Sequence, residues 1–155
     1  MKLGARVATA ALAILTALGV TVGGAGAANA STARGAVLGE RVDWYAFQGL
    51  TPSWHCRATV DRGDYYEQVC SIVSGRAYQG ALIVVARTTA WYDAEVWSVR
   101  NATYLDWRIC EGTITAGTRV VCFSPTLGAN AGDVVQGYAS DPDFNDMFGP
   151  TIRIT

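Results

Sequence analysis

The residues best suited to hold a ligand fall in one stretch, Trp91-Tyr92-Asp93-Ala94-Glu95-Val96-Trp97. In an extended chain successive side chains point to opposite faces, so Trp91, Asp93, Glu95, Trp97 and Val99 share one face and Tyr92, Ala94, Val96 and Ser98 the other. The second set is small and largely apolar, fit to pack on a sheet. The first reads as an aromatic platform: two tryptophans about 20 Å apart at strand rise, with two carboxylates between them. Such a surface suits a sugar, whose apolar ring face stacks while its hydroxyls bond the acids. Asp93 and Glu95 would stand about 7 Å apart, near the separation of the carboxyl pair in inverting glycosidases. Parallel side chains on one strand, however, rarely flank a bond from both sides. The competing reading places Trp97 in the core, because tryptophan is highly buried on average.

Other chemistry is thinly supported. His55 is the only histidine, and so the only side chain whose ordinary pKa suits general-base work near neutrality. No Gly-x-Ser-x-Gly elbow surrounds any serine to partner it. The segment Asp141-Pro142-Asp143-Phe144-Asn145-Asp146 begins with the alternating oxygens of a calcium loop, but Asp146 stands where that loop needs glycine and no glutamate follows at its twelfth position. An Asx turn ahead of the last strand is the preferred reading. No metal ligand, cofactor or catalytic residue is assigned. Arg62, near the tip of a hairpin, would be the basic specificity residue if the protein presented a stapled loop to a trypsin-like protease.

Four cysteines, Cys56, Cys70, Cys110 and Cys122, read as two disulfides, since zinc would want C-x-x-C spacing and more than one histidine. Cys56 and Cys70 lie symmetrically about Gly63, and Cys110 and Cys122 straddle Ala116 and Gly117. The spacing predicts bridges 56–70 and 110–122, each closing its own hairpin. In the first, Ala58 would face Gln68 and Val60 would face Tyr66. Trp54, Cys56, Ala58, Val60, Tyr66, Cys70 and Ile72 would then form the core side, leaving Arg57, Thr59, Asp61, Tyr65 and Glu67 outside. In the second, Gly117 takes the left-handed position of a three-residue loop. Thr59, Val60 and Gly63 follow Cys56 at the spacing with which Thr113, Ile114 and Gly117 follow Cys110. With Gly80 about 52 residues ahead of Gly132, this raises a tandem duplication of a four-strand unit, residues 42–90 and 95–139, against a chance likeness of two hairpins.

These residues need strands to position them. From Arg41 onward, short runs rich in Val, Ile, Thr, Tyr and Trp are separated every ten residues or so by Gly, Pro, Asp and Asn, and no 3.6-residue apolar period lasts three turns. The fold class is all-β: a single-domain antiparallel sandwich or closed barrel of eight to nine strands with two disulfide-closed hairpins. Strands are predicted near 41–48, 54–61, 65–73, 80–88, 91–100, 108–115, 118–124, 133–140 and 151–155. Ahead of them, Lys2 and Arg6 precede an apolar run over residues 7–22 and then Ala28-Asn29-Ala30. That pattern predicts a signal peptide over residues 1–30, cleaved on export, followed by a flexible leader, 31–40, and the all-β domain, 41–155.

The mature chain would hold ten arginines against thirteen acids and no lysine, which argues against nucleic acid and against a polybasic membrane patch. The first expectation is a small secreted protein that binds an extracellular carbohydrate or protein ligand without catalysis. A small glycosidase-like hydrolase with paired carboxylates is the alternative, and a protease inhibitor with a stapled hairpin loop is a third reading.

Overall fold

The computed structural model describes residues 39–155. The expected signal peptide and all but the last two residues of the expected leader lie outside the described residues. Gly39 and Glu40 already belong to the fold, since Gly39 packs on the Trp107 ring and Glu40 opens the first strand.

Every regular element among the described residues is a strand. In chain order they are β1 (Glu40–Asp43), β2 (Tyr45–Ala46), β3 (Trp54–Cys56), β4 (Val60–Asp61), β5 (Tyr65–Ser74) and β6 (Ala77–Ala86). There follow β7 (Ala90–Arg100), β8 (Thr103–Ile114), β9 (Arg119–Phe123), β10 (Leu127–Gly128), β11 (Val134–Ser140), β12 (Asp146–Phe148) and β13 (Ile152–Arg153). They make two sheets packed face to face. Sheet A has the order β1-β8-β7-β11-β12, with β13 also on β11; sheet B has the order β2-β9-β6-β5-β3, with β4 also on β5 and β10 on β6. All pairs are antiparallel except β1 with β8. The closed-barrel alternative is not what forms, because each sheet keeps two edges.

The edge strands are short pieces, and the sequence shows why. Pro125 stands between β9 and β10 and Pro150 between β12 and β13, and proline cannot donate to a ladder. Residues 57–59 hold one residue more than the facing stretch of β5, so Val60 pairs with Glu67 rather than Tyr66. The expected pairs Ala58 with Gln68 and Val60 with Tyr66 are therefore corrected by a bulge. Interrupted edges of this kind resist pairing with other chains.

The expected core side of this hairpin is reversed as well. Val69 and Glu67 point between the sheets, whereas Cys70 and Ile72 pack on the outer face of sheet B with Ala81, Ile83 and Val121. Phe47, Trp54 and Phe123 cover that outer face, each ring meeting the next at 5.7–5.9 Å. Both faces of β6 are thus buried, which is why Ala81–Ala86 reads as an unbroken apolar run.

The two disulfides form between the expected partners, but they do different work. Cys56 and Cys70 face each other within sheet B. Cys110 lies on β8 in sheet A and Cys122 on β9 in sheet B, so the second bridge ties the sheets together rather than closing a hairpin. The chain changes sheets between β8 and β9, as it also does at Trp44, between β1 and β2. Gly80 sits in mid-strand while Gly132 is a turn residue with φ +91°. The two halves proposed for a duplication therefore do not fold alike.

A waist of small residues divides the core. Ser71 pairs with Gly80 in sheet B, and Ser98 with Gly137 in sheet A. A Cβ added at Gly80 would lie 2.3 Å from the Trp97 carbonyl oxygen, and one at Gly137 would lie 2.2 Å from that of Cys70. The sheets therefore touch there backbone to backbone. Hydroxyls line the contact: Ser98 and Ser124 share a hydrogen bond of 2.7 Å, Gly80 N–H donates to Ser124, and Gly137 N–H donates to Ser71. On one side lies the larger cluster, including Val69, Leu82, Val84, Tyr92, Val96 and Met147; on the other lie Tyr78, Ala129, Val135 and Ile154.

Candidate functional site

Strand β7 sorts its residues as alternation requires. Tyr92, Ala94, Val96 and Ser98 are buried between the sheets, and Trp91, Asp93, Glu95 and Trp97 stand on the outer face of sheet A. Val99 is the exception, being buried, because a bulge between Ser98 and Val99 shifts the register against β8.

Neighbouring strands extend these positions into rows. Trp97 lies opposite Trp107 on β8 and Tyr138 on β11, and Tyr138 lies opposite Phe148 on β12. The four residues form a transverse aromatic row. Trp97 stacks on Trp107 at 5.0 Å with planes 16° apart, and Tyr138 meets Phe148 at 4.9 Å. Tyr104 bridges the row edge-on, 5.8 Å from Trp97 and 5.1 Å from Tyr138. Tyr104 and Phe148 are exposed and the indoles of Trp97 and Trp107 are half-buried. Gly39, at φ +72°, lies so close to Trp107 that any side chain there would strike the ring. The Tyr138 hydroxyl donates to Asp146, and burial together with that carboxylate pushes its pKa up to about 12.

Acids fill the next rows. Glu95 lies opposite Ile109 and Ser140, and Ser140 lies opposite Asp146. Trp97 Nε1 donates to Glu95 at 3.3 Å. One row further, Asp93 faces Glu111 on β8, which in turn adjoins Asp43 on β1. Arg41 forms an ion pair with Glu111. Trp91 ends the series with 63 % of its surface exposed. Rows are about 7 Å apart along the strands. The surface is thus a ring-lined band, an acidic band and a lone exposed indole.

A second constellation closes one end of the sandwich. Glu67 is 1 % exposed, and accepts a hydrogen bond from the Tyr92 hydroxyl and another at 3.0 Å from Arg62 Nε. Arg62 also lies 3.6 Å from Asp141. Burial raises the pKa of Glu67, while the bonds from Tyr92 and Arg62 oppose the rise. Burial and the neighbouring Glu67 charge push the Tyr92 hydroxyl far up. Arg62 is therefore drawn in to serve this cluster rather than held out at a hairpin tip.

Asp141 organises the following loop. Its Oδ1 accepts the amides of Asp143 and Asn145, and the Asn145 side chain bonds both its oxygens. This is the Asx turn, with Asp141 facing inward to amides and Arg62. Among the described residues no three His, Cys, Asp or Glu side chains gather as a metal site. His55 is half-buried opposite Ser71, whose hydroxyl donates instead to the Pro150 carbonyl, and no hydrogen bond joins His55 to a carboxylate or serine among the described residues.

Trp107, Tyr138, Tyr104 and Phe148 escape the sequence reading of the platform. Trp107 could have been found from its place just ahead of a cysteine on an alternating strand; the others enter through pairings between strands distant in sequence. No family model matches the chain, and neither the curated proteins nor the solved structures contain a match to it.

Proposed function

We propose that the protein is a small secreted binding protein without catalysis, which holds a carbohydrate on the outer face of sheet A. The observation that carries the reading is the aromatic row Trp107-Trp97-Tyr138-Phe148, contributed by four neighbouring strands, with carboxylates in the adjoining rows. Rings braced on a sheet offer flat apolar area at little loss of side-chain freedom on binding, and the acids beside them accept sugar hydroxyls. The two disulfides suit an oxidising, extracellular compartment, and the expected signal peptide over residues 1–30 supports export.

The test is a binding screen of the mature protein against immobilised cell-wall and plant polysaccharides, with released sugar assayed in the same wells. Retention on at least one polysaccharide, without sugar release and abolished in Trp91→Ala with Trp97→Ala, is the expected result. Equal retention of that folded double variant, or no retention of the wild type, overturns the reading.

One observation favours the hydrolase as a second reading. Asp93 and Glu111 are directly opposed on neighbouring strands, with Cα atoms about 4.5–5.5 Å apart, a closer pairing than Asp93 with Glu95. Sugar release that disappears in both Asp93→Asn and Glu111→Gln would establish it. The inhibitor reading gains no comparable support, since Arg62 is engaged with Glu67 and Asp141.

A further inference from the structure

We propose that the ligand of the sheet A face is cationic: a glycan whose sugars carry free, protonated amino groups. The proposal rests on the carbohydrate reading above and names the class of sugar.

The row beside the rings carries it. Asp43, Glu111 and Asp93 lie side by side on three neighbouring strands, and Glu95 follows one row nearer the rings. Like charges directly opposite one another destabilise a sheet, so a row of three carboxylates is an arrangement that folding alone disfavours. Arg41 answers only Glu111, and among the described residues Asp93 and Glu95 make no ion pair. The carboxylates stand about 4.8 Å apart across strands and about 7 Å apart along them. That spread suits ammonium groups repeated along an extended chain better than a single compact ion, in keeping with the lack of a metal-holding cluster among the described residues.

Indoles stand at both ends of the acidic band, and indole is the aromatic ring that attracts an ammonium most strongly. A neutral sugar would use the rings but leave Asp93 and Glu95 without a cationic partner among the described residues. A protonated amino sugar brings its ring face to Trp91, the indole most open to solvent on this face, and its ammonium to Asp93 or Glu95, within reach of the stacked Trp97–Trp107 pair. A basic peptide would answer the charges but offers no sugar ring faces to the exposed aromatic rings.

The experiment is calorimetric titration of the mature protein near pH 6. The probes are a hexasaccharide of 2-amino-2-deoxyglucose, its fully N-acetylated counterpart, and hexalysine. The amino form should bind about tenfold more tightly than the acetylated one at about 20 mM salt, and the gap should largely close at about 500 mM, where exposed charges are screened. Asp93→Asn with Glu95→Gln should erase the preference while leaving the melting temperature equal to or above that of wild type, because the repulsion between Asp93 and Glu111 is removed. Equal affinity for the two glycans, with both lost in Trp97→Ala, overturns the cationic ligand and leaves the carbohydrate reading standing. Tighter binding of hexalysine than of the amino glycan also overturns it, assigning the face to a basic peptide. Binding of neither glycan overturns the amino-sugar ligand, while the polysaccharide screen decides the carbohydrate reading separately.

Discussion

Trp91 and Trp97 share a face of one strand, yet their surroundings set different consequences for their removal. Trp91 stands in solvent, so Trp91→Ala should leave the melting temperature within about a degree of wild type while weakening ligand binding. Trp97 stacks on Trp107 and touches Tyr104. Being half-buried, it should cost about 1–3 kcal/mol when replaced by alanine, below the 3–5 kcal/mol of a fully buried tryptophan. Chemical denaturation of both variants checks the pair. Glu67 supports a prediction in pH. Its folded pKa is raised above the ordinary value of 4.5, so the folded state binds the proton more tightly than the unfolded chain does. The stability this group contributes is therefore full below about pH 4.5 and is lost as pH rises through the folded pKa. Wild-type stability should fall relative to Glu67→Gln across that window; a difference independent of pH would show that the carboxyl titrates normally.

At the scale of the strand, the sharpest constraint is the waist at Gly80 and Gly137. Neither needs glycine for a left-handed backbone; each needs it because the opposite sheet's carbonyl occupies the space of a Cβ. Gly80→Ala must push β6 away from β7, and should cost about 3 kcal/mol, at the upper end for overpacking because backbone yields less than side chain. Gly128→Ala meets nothing within 4 Å and should change stability by less than about 0.5 kcal/mol. Urea denaturation of the two variants separates the cases. Strand β5 carries a further lesson. Its alternation was legible, but Cys70 and Ile72 on one face and Val69 on the other are all buried, so apolar content could not say which face met the opposite sheet. Alternation puts Glu67 on the face opposite Cys70 and Ile72, so taking their apolar face as the core side leaves Glu67 in solvent. Its partners, Tyr92 and Arg62, reach it through the fold.

For the whole molecule, the two disulfides have similar loop lengths, with sequence separations of 14 and 12, and chain entropy predicts about 3 kcal/mol from each. Their accessibility differs. Cys110 and Cys122 are fully buried where the sheets are joined, whereas Cys56 is half-buried on the outer face of sheet B. Limited reduction followed by alkylation and peptide mapping should label Cys56 and Cys70 first; earlier labelling of Cys110 and Cys122 would contradict the buried inter-sheet bridge. Local sequence rules suffice for the all-β class, the pairing of the cysteines and the sorting of Trp91 through Ser98 between the two faces of β7, short of the bulge that turns Val99 inward. Each follows from local rules: β-rich runs between turn residues, closeness along the chain, and side chains that alternate on any strand. Tertiary structure decided which sheet each strand joined, that the second bridge crosses between sheets, and that Trp97 stands in a row with Trp107, Tyr138 and Phe148. The physical reason is that register between distant strands and the choice of inner face arise from how two sheets pack together, a property of many residues at once that no short stretch encodes.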